Sequence, residues 1–418
     1  MGRYTVDGME PKEVVTPEDV DEVASVLKRA NEEGLGVLVV GGGSKLSMGM
    51  KPKKYDIALS TSRLGGVLEF SPEDFTVTVG GGMKLKELQE FLGKENQFLP
   101  IDAPYYNDAT IGGIVAANTN GPRRFHYGAI RDLILGAKFV SGSGIPYDFS
   151  GKVVKNVAGY RVRSFLTGSM GTLAVITELT LKTYPLQEKE ASVIALYESA
   201  DEALKSAIEL SKKDFSYTAI EVLGKKVSNL MEERHGIGAD DLYALVVRLE
   251  GFGDLVEEHS KAVEEGLKGS ARTITLNGKE HFSLWGFIQD VQGNLPKGGE
   301  KVLLRIGVPR SSSPAIFKKA EGVLSEFDPF VWLHEETGIV YAAVTGGDPK
   351  ELKKGIVKLR KESEKLEGYL VVESAPVELK EMVDVWGDVG EALELMKGLK
   401  EVFDPNYVLS PGRFVGGI

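Results

Sequence analysis

Leu35-Gly36-Val37-Leu38-Val39-Val40-Gly41-Gly42-Gly43-Ser44-Lys45-Leu46-Ser47 begins as an apolar run and empties into three consecutive glycines. The run is strand-length and apolar on both faces, which places it inside a sheet. Successive glycines after such a strand can turn several N–H groups into one concavity, and the hydroxyls of Ser44 and Ser47 add donors. A diphosphate would suit that nest. Two familiar phosphate loops are excluded. The Gly-Lys-Ser/Thr ending of a Walker loop is missing. A dinucleotide fingerprint would need glycine where Leu46 stands, and a helix where Met48-Gly49-Met50-Lys51-Pro52 follows.

Upstream, Thr16-Pro17-Glu18-Asp19 predicts a helix start with the Thr16 hydroxyl as cap. Val20, Val23, Leu27 and Ala30 recur at helical spacing, and Gly34 ends the helix. Downstream the plan repeats: Phe75 to Val79 alternates as a strand, Gly80-Gly81-Gly82 follows, and a short helix carries Leu85, Leu88 and Leu92 to Gly93. Of the 50 glycines, 23 fall between Gly34 and Gly171, a third of the chain. One such cluster is most simply a tight turn; several in one region point to a backbone approached by a ligand. In Ala109-Thr110-Ile111-Gly112-Gly113-Ile114-Val115-Ala116-Ala117-Asn118 the helix start carries small side chains, which suits a flat ligand or close helix–strand packing. The loop Asn120-Gly121-Pro122-Arg123-Arg124-Phe125-His126-Tyr127-Gly128 sets two arginines side by side, able to meet phosphate, a carboxylate or solvent.

The chain has 418 residues, which implies two or three domains. Apolar residues make up 42% and charged residues 27%, an ordinary folded composition. A net charge of −11 argues against nucleic acid as the main partner, since phosphate backbones want a basic face. There is no cysteine, so no disulfide, thiolate metal site or ligand to an iron–sulfur cluster, and no metal is expected. The first residues carry no apolar stretch and the longest apolar runs are strand-length. Neither a signal peptide nor a membrane span is expected; the expected location is cytoplasmic, with membrane association only through partners.

Four pieces now stand in order: the triple-glycine loop, Ala109 to Gly113, Lys155-Asn156-Val157-Ala158-Gly159-Tyr160, and Gly168-Ser169-Met170-Gly171-Thr172-Leu173-Ala174-Val175-Ile176-Thr177-Glu178. Together they resemble the FAD-binding domain of the vanillyl-alcohol oxidase/PCMH superfamily. Phe403-Asp404-Pro405-Asn406-Tyr407-Val408-Leu409-Ser410-Pro411-Gly412-Arg413 resembles that family's C-terminal tail. Within the superfamily, Gly121 to Arg124, Gly128 to Asp132 and Lys155 to Tyr160 most resemble the FAD-binding subunit of glycolate oxidases. The resemblance spans residues 11–185 and 401–414.

It implies an α+β fold: a PCMH-type two-subdomain FAD-binding domain over residues 1–190, a ferredoxin-like α/β cap domain over 191–400, and a tail, 401–418, returning to the FAD domain. By the same resemblance Gly41, Gly42, Gly43, Ser44 and Lys45 would cradle the FAD pyrophosphate, and Thr110, Ile111, Gly112 and Gly113 would cover pyrophosphate and flavin. Asn118, Gly121, Gly168, Ser169, Gly171 and Thr172 would lie along the cofactor, with Ile176 at the adenine side. Family members with covalent flavin use His, Cys or Tyr near the glycine loops. Here Ser44-Lys45 occupies the first loop, so non-covalent FAD is expected, with His126 the remaining candidate for a tether.

Beyond residue 190 glycine thins and amphipathic helices alternate with strands. Residues 301–374 read as strand, helix, hairpin turning near Gly338, helix, strand, the β-α-β-β-α-β order of a ferredoxin-like unit. Residues 192–276 alternate less regularly, and a duplication is not claimed from them.

Bound flavin takes the hydride, while the protein supplies a base for the substrate hydroxyl and a cation for its carboxylate. The histidines are His126, His235, His259, His281 and His334. His235 and His259 sit among charges and are expected to be exposed. His334, on the hairpin strand with Glu335 and Glu336, is the expected base. Arg305, alone in apolar Val302-Leu303-Leu304-Arg305-Ile306, is the expected carboxylate clamp, or else pairs with Glu335 or Glu373. Tyr160 or Arg413 is expected to assist. The Gly-Glu-His-Gly segment of the family's catalytic large subunits is absent. The expectation is therefore an FAD-dependent dehydrogenase of a small 2-hydroxy acid such as glycolate or lactate, within a complex holding a second flavoprotein and an iron–sulfur protein. Two alternatives stay open: a non-catalytic FAD-binding relay or scaffold subunit, and an NADPH-dependent reductase similar to the enolpyruvyl reductase of cell-wall synthesis.

Overall fold

The computed structural model describes residues 2–151, 163–237, 241–267, 269–297 and 299–418. The chain divides into two units: Met1–Asn120 with Gly128–Leu186 and Asp384–Ile418, and Gly121–Tyr127 with Gln187–Val383.

In the first unit β1 (Glu13–Val15), β2 (Val37–Val40) and β3 (Ile57–Ser60) form a parallel sheet with β3 in the middle. Helix α1 (Val20–Glu33) links β1 to β2 and buries Val23, Leu27 and Ala30 against Val37, Ile57 and Leu59. Each such Val or Leu contributes about 1.5–3 kcal/mol. The helix is capped by Asp19, whose carboxylate accepts the Glu22 N–H at 2.8 Å, and not by Thr16. Asp caps as well as Thr and stands directly before the apolar stripe. The second sheet is antiparallel. Its strands β4 (Val67–Ser71), β5 (Thr76–Gly80), β7 (Ile134–Ser141), β8 (Pro146–Phe149) and β9 (Ala174–Lys182) lie in the order β4-β5-β9-β7-β8. A short ribbon pairs β6 (Gln97–Phe98) with β10 (Tyr184–Pro185). Helices α2 (Leu85–Gly93) and α3 (Ile111–Ala117) share a core with β5, β7 and β9 through Leu88, Leu92, Ile111 and Val115. The C-terminal tail runs beside β2: the Val37 N–H donates to Val408 O, and the Ser410 N–H to Val37 O.

The second unit is built on one antiparallel sheet of eight strands: β11 (Lys189–Tyr197), β12 (Tyr217–Leu223), β13 (Tyr243–Gly251), β14 (Arg272–Asn277), β15 (Lys301–Gly307), β16 (Phe330–His334), β17 (Ile339–Thr345) and β18 (Tyr369–Ser374). Their order is β14-β11-β13-β12-β16-β17-β15-β18. Each half, read from its own first strand, is 4-1-3-2, so two ferredoxin-like units join edge to edge through β12 and β16. The duplication is real. It was obscured because helix Lys225–His235 fills the first half where the second has only the turn Glu335–Thr337.

Register fixes what each face carries, because residues opposite one another in a sheet share a face. Glu190 faces Glu250, Glu221 faces His334 and Val246, Trp332 faces Tyr341, and Tyr341 faces Arg305. These residues therefore share one face. The alternate positions, among them Val193, Val247, Ile220, Leu333, Val340 and Leu304, are buried and apolar. One face of the sheet is apolar core; the other carries a polar row across strands from β11 to β18 beside a second buried apolar cluster that includes Ile194, Val246, Trp332 and Leu303.

Candidate functional site

In the first unit the end of β2, the loop behind it, the start of α3 and Met170-Gly171 line a cleft. Of the residues expected to hold a cofactor, Gly41, Gly42, Gly43, Ser44, Lys45, Thr110, Gly112, Gly113, Gly171 and Ile176 line it. Ile111 is instead fully buried in the core, Asn118 caps α3 at φ 48, and Thr172 donates to Ser169 O at 2.7 Å. Gly168 and Ser169 lie in the turn after the described helix end, and Gly121 falls in the second unit.

The glycines are explained first by the protein itself. A Cβ on Gly41 would stand 2.2 Å from Thr110 Oγ1, and one on Gly42 only 1.7 Å from Asp108 O. A Cβ on Gly112 would meet Gly81 O at 2.8 Å, the carbonyl that accepts the Gly112 N–H. Backbone thus packs on backbone at Gly42 and Gly112, and on the Thr110 side chain at Gly41. Ser44, Thr61 and Thr110 bring hydroxyls to the cleft lining, and Lys45 and Arg413 bring cations. Such a lining fits an extended cofactor with a diphosphate. Thr61 and Ser410 were missed by sequence reasoning, and Arg413, expected to assist the chemistry, lines this cleft instead. The tail resemblance placed the last two near the FAD domain but gave them no contact.

In the second unit the polar face gathers the expected base and clamp. His334 Nδ1 lies 2.6 Å from Glu221 Oε2, and Glu221 is 1% exposed. A buried carboxylate on Nδ1 fixes the proton there and leaves Nε2 as the acceptor. The His334 ring meets the Tyr341 ring edge-on at 5.4 Å, and Tyr341 stacks on Trp332. Arg305, across from Tyr341, lies over the Tyr369 ring and donates from Nη1 to its hydroxyl at 3.3 Å. Its Nε is 2.9 Å from Glu373 Oε1 but not aligned to donate to it. Burial opposes the Arg305 charge, yet Glu373, Tyr369 and Tyr341 outweigh that opposition and hold it firmly cationic. Burial, reinforced by Glu373, pushes the Tyr341 phenol well above its usual range, so it remains a neutral donor. Glu221, Tyr341 and Tyr369 had no local signal; only strand register brings them to His334 and Arg305.

The remaining calls are placed as follows. Arg123 is buried and paired with Glu250 at 2.7 Å and Glu190 at 3.3 Å, with Arg248 and the Tyr127 hydroxyl completing the cluster. His281, fully buried, bridges Ser192 and Glu190, and burial keeps its pKa down. His235 and His259 are half-buried rather than exposed; His259 Nδ1 accepts the Ser216 N–H. His126 is exposed. Tyr160 lies outside the described residues.

Residues 11–150 match the family model described as an FAD binding domain, and residues 186–345 with 385–414 match that of the FAD linked oxidases, C-terminal domain. A D-lactate dehydrogenase of Archaeoglobus fulgidus is 28% identical, the alignment covering 96% of this chain and 91% of that one. Glycolate oxidase subunit GlcD of Bacillus subtilis is 25% identical over 96% of this chain and 88% of its own. Among solved structures, p-cresol methylhydroxylase with substrate bound superposes with a TM-score of 0.75 at 16% identity, covering 98% of this chain and 91% of that one. That likeness shows the fold.

Proposed function

The chain belongs to the FAD linked oxidases of the PCMH type, carrying both their FAD binding and C-terminal domains, and from that premise we propose that it is an FAD-dependent dehydrogenase of a small 2-hydroxy acid. The relatives named for lactate and glycolate support that substrate class. FAD, when bound, supplies the hydride acceptor. Gly41 to Lys45 and Thr110 to Gly113 would hold it, without covalent attachment, since among the described residues the cleft lining offers no His, Cys or Tyr.

One observation carries the assignment of roles: His334, backed by Glu221, shares a face with Arg305 through the intervening Tyr341. His334 Nε2 takes the hydroxyl proton as the C–H bond is broken, and Glu221 stabilises the imidazolium that forms. Arg305 and the hydroxyls of Tyr341 and Tyr369 hold the carboxylate and orient the C–H bond. Tyr160 is assigned an assisting role on the resemblance alone. Turnover of glycolate, D-lactate and L-lactate with an electron-accepting dye tests the reading. Reduction by at least one acid, abolished in His334→Ala, is expected; turnover that survives the substitution contradicts the base assignment.

A second reading has one observation in its favour. Glu373 already neutralises Arg305, which would suit an FAD-bearing chain that relays electrons in a complex with a second flavoprotein and an iron–sulfur protein. A chain that binds FAD yet reduces dye only after such partners are added would establish it.

A further inference from the structure

Arg413 is 7% exposed and lines the cleft beside Gly41 to Leu46. Its Nη2 donates to two neutral acceptors, Leu46 O at 2.6 Å and Met48 O. Its Nε donates to nothing, and among the described residues no carboxylate reaches ion-pairing distance of the guanidinium. Elsewhere among the described residues ion pairs balance buried cations: Arg123 and Arg248 have Glu190 and Glu250, and Lys400 has Asp404. A buried charge left without a counter-ion is costly, and folds retain one where an anion arrives to match it. Burial holds the Arg413 pKa below the ordinary arginine value, with Asp7 and Tyr55 only partly opposing.

We propose that Arg413, delivered by the C-terminal tail, is the counter-charge for the diphosphate of the bound cofactor. This rests on the FAD reading above. The two carbonyls fix the guanidinium plane at the glycine loop, so an anion in that loop meets a cation already in place. Arg413 is thus a cofactor-positioning residue, and the tail completes the site that the glycine loop begins.

The test is FAD affinity, read by quenching of flavin fluorescence, for the wild type, Arg413→Lys and Arg413→Gln. Glutamine keeps a donor for the Leu46 and Met48 carbonyls but drops the charge; lysine keeps the charge. The Gln variant is expected to bind FAD about 30-fold more weakly, and the Lys variant within about threefold of wild type. Gln binding like the wild type, or Lys and Gln weakening alike, overturns the proposal and leaves Arg413 as a clip for the loop. The wild type alone gives a second readout, independent of any variant's folding: inorganic pyrophosphate should compete with FAD, and no competition also overturns the proposal. A wild type that binds no FAD at all would refute the underlying cofactor reading instead.

Discussion

Glu336 follows His334 by two positions, is 8% exposed, and neither of its carboxylate oxygens is hydrogen-bonded. The nearby Tyr217 hydroxyl donates to Ser211 O instead. Burial, and then the charge of Glu335, pushes its pKa up to about 8. Between the ordinary 4.5 and about 8 the folded chain therefore holds a proton that the unfolded chain has lost. More protons bound in the folded state means that stability falls as pH rises through that window. Glu336→Gln should match the wild type near pH 4 and exceed it near pH 9 by about 2–4 kcal/mol, measured by denaturant melts. A variant less stable than wild type at alkaline pH would contradict this. At the neighbouring dyad, His334→Ala should slow flavin reduction about 10³-fold and Glu221→Gln about 10²-fold, with stopped-flow absorbance as the measurement. Equal rates for Glu221→Gln and wild type would remove Glu221 from the chemistry. His334 and Arg305 were legible as the odd polar residues in apolar strands. Glu221, more than a hundred residues from His334, was not, because only long-range pairing makes them neighbours.

The glycine loops show what an element can and cannot tell from sequence. Their clustering pointed to a backbone approached by a ligand, and Gly41 to Gly43, Gly112, Gly113 and Gly171 line a cleft. Their cause is more local: Gly42 and Gly112 are required by neighbouring backbone, and Gly41 by the Thr110 side chain. Gly42→Ala should accordingly cost more than about 3 kcal/mol, because Asp108 O cannot move away without displacing the start of α3. Gly43→Ala meets no backbone atom and pays only for its φ of 79°, about 1 kcal/mol. Thermal melts of the two variants check the order, and a reversed order would contradict it. The opening helix was legible in its stripe and its Gly34 stop, while its cap shifted from Thr16 to Asp19 because two good capping residues stand three apart.

Across the whole molecule, two devices were written at a distance. The sheet of the second unit is a doubled ferredoxin-like unit, legible in its second half and masked in its first by helix Lys225–His235. The tail is tied to the first unit by Lys400 and Asp404, both fully buried. Lys400 Nζ donates to Thr172 O, Leu409 O and Asp404, and Asp404 accepts the Val408 and Leu409 N–H groups. Asp404→Ala leaves the ammonium without its counter-ion and should cost about 3–5 kcal/mol. Limited proteolysis should then release the tail faster than in wild type; unchanged cleavage would mean the tail is held by other contacts. Among the described residues no helix is long and apolar enough to cross a membrane.

The most direct test of the central claim is an anaerobic titration of the FAD-loaded chain with glycolate and with each lactate enantiomer, followed through the visible flavin absorbance. Bleaching of the bound flavin by one of these acids, without any partner protein, is the predicted result. Flavin that stays bound and fully oxidised through the whole panel would contradict the claim that this chain oxidises a 2-hydroxy acid by itself.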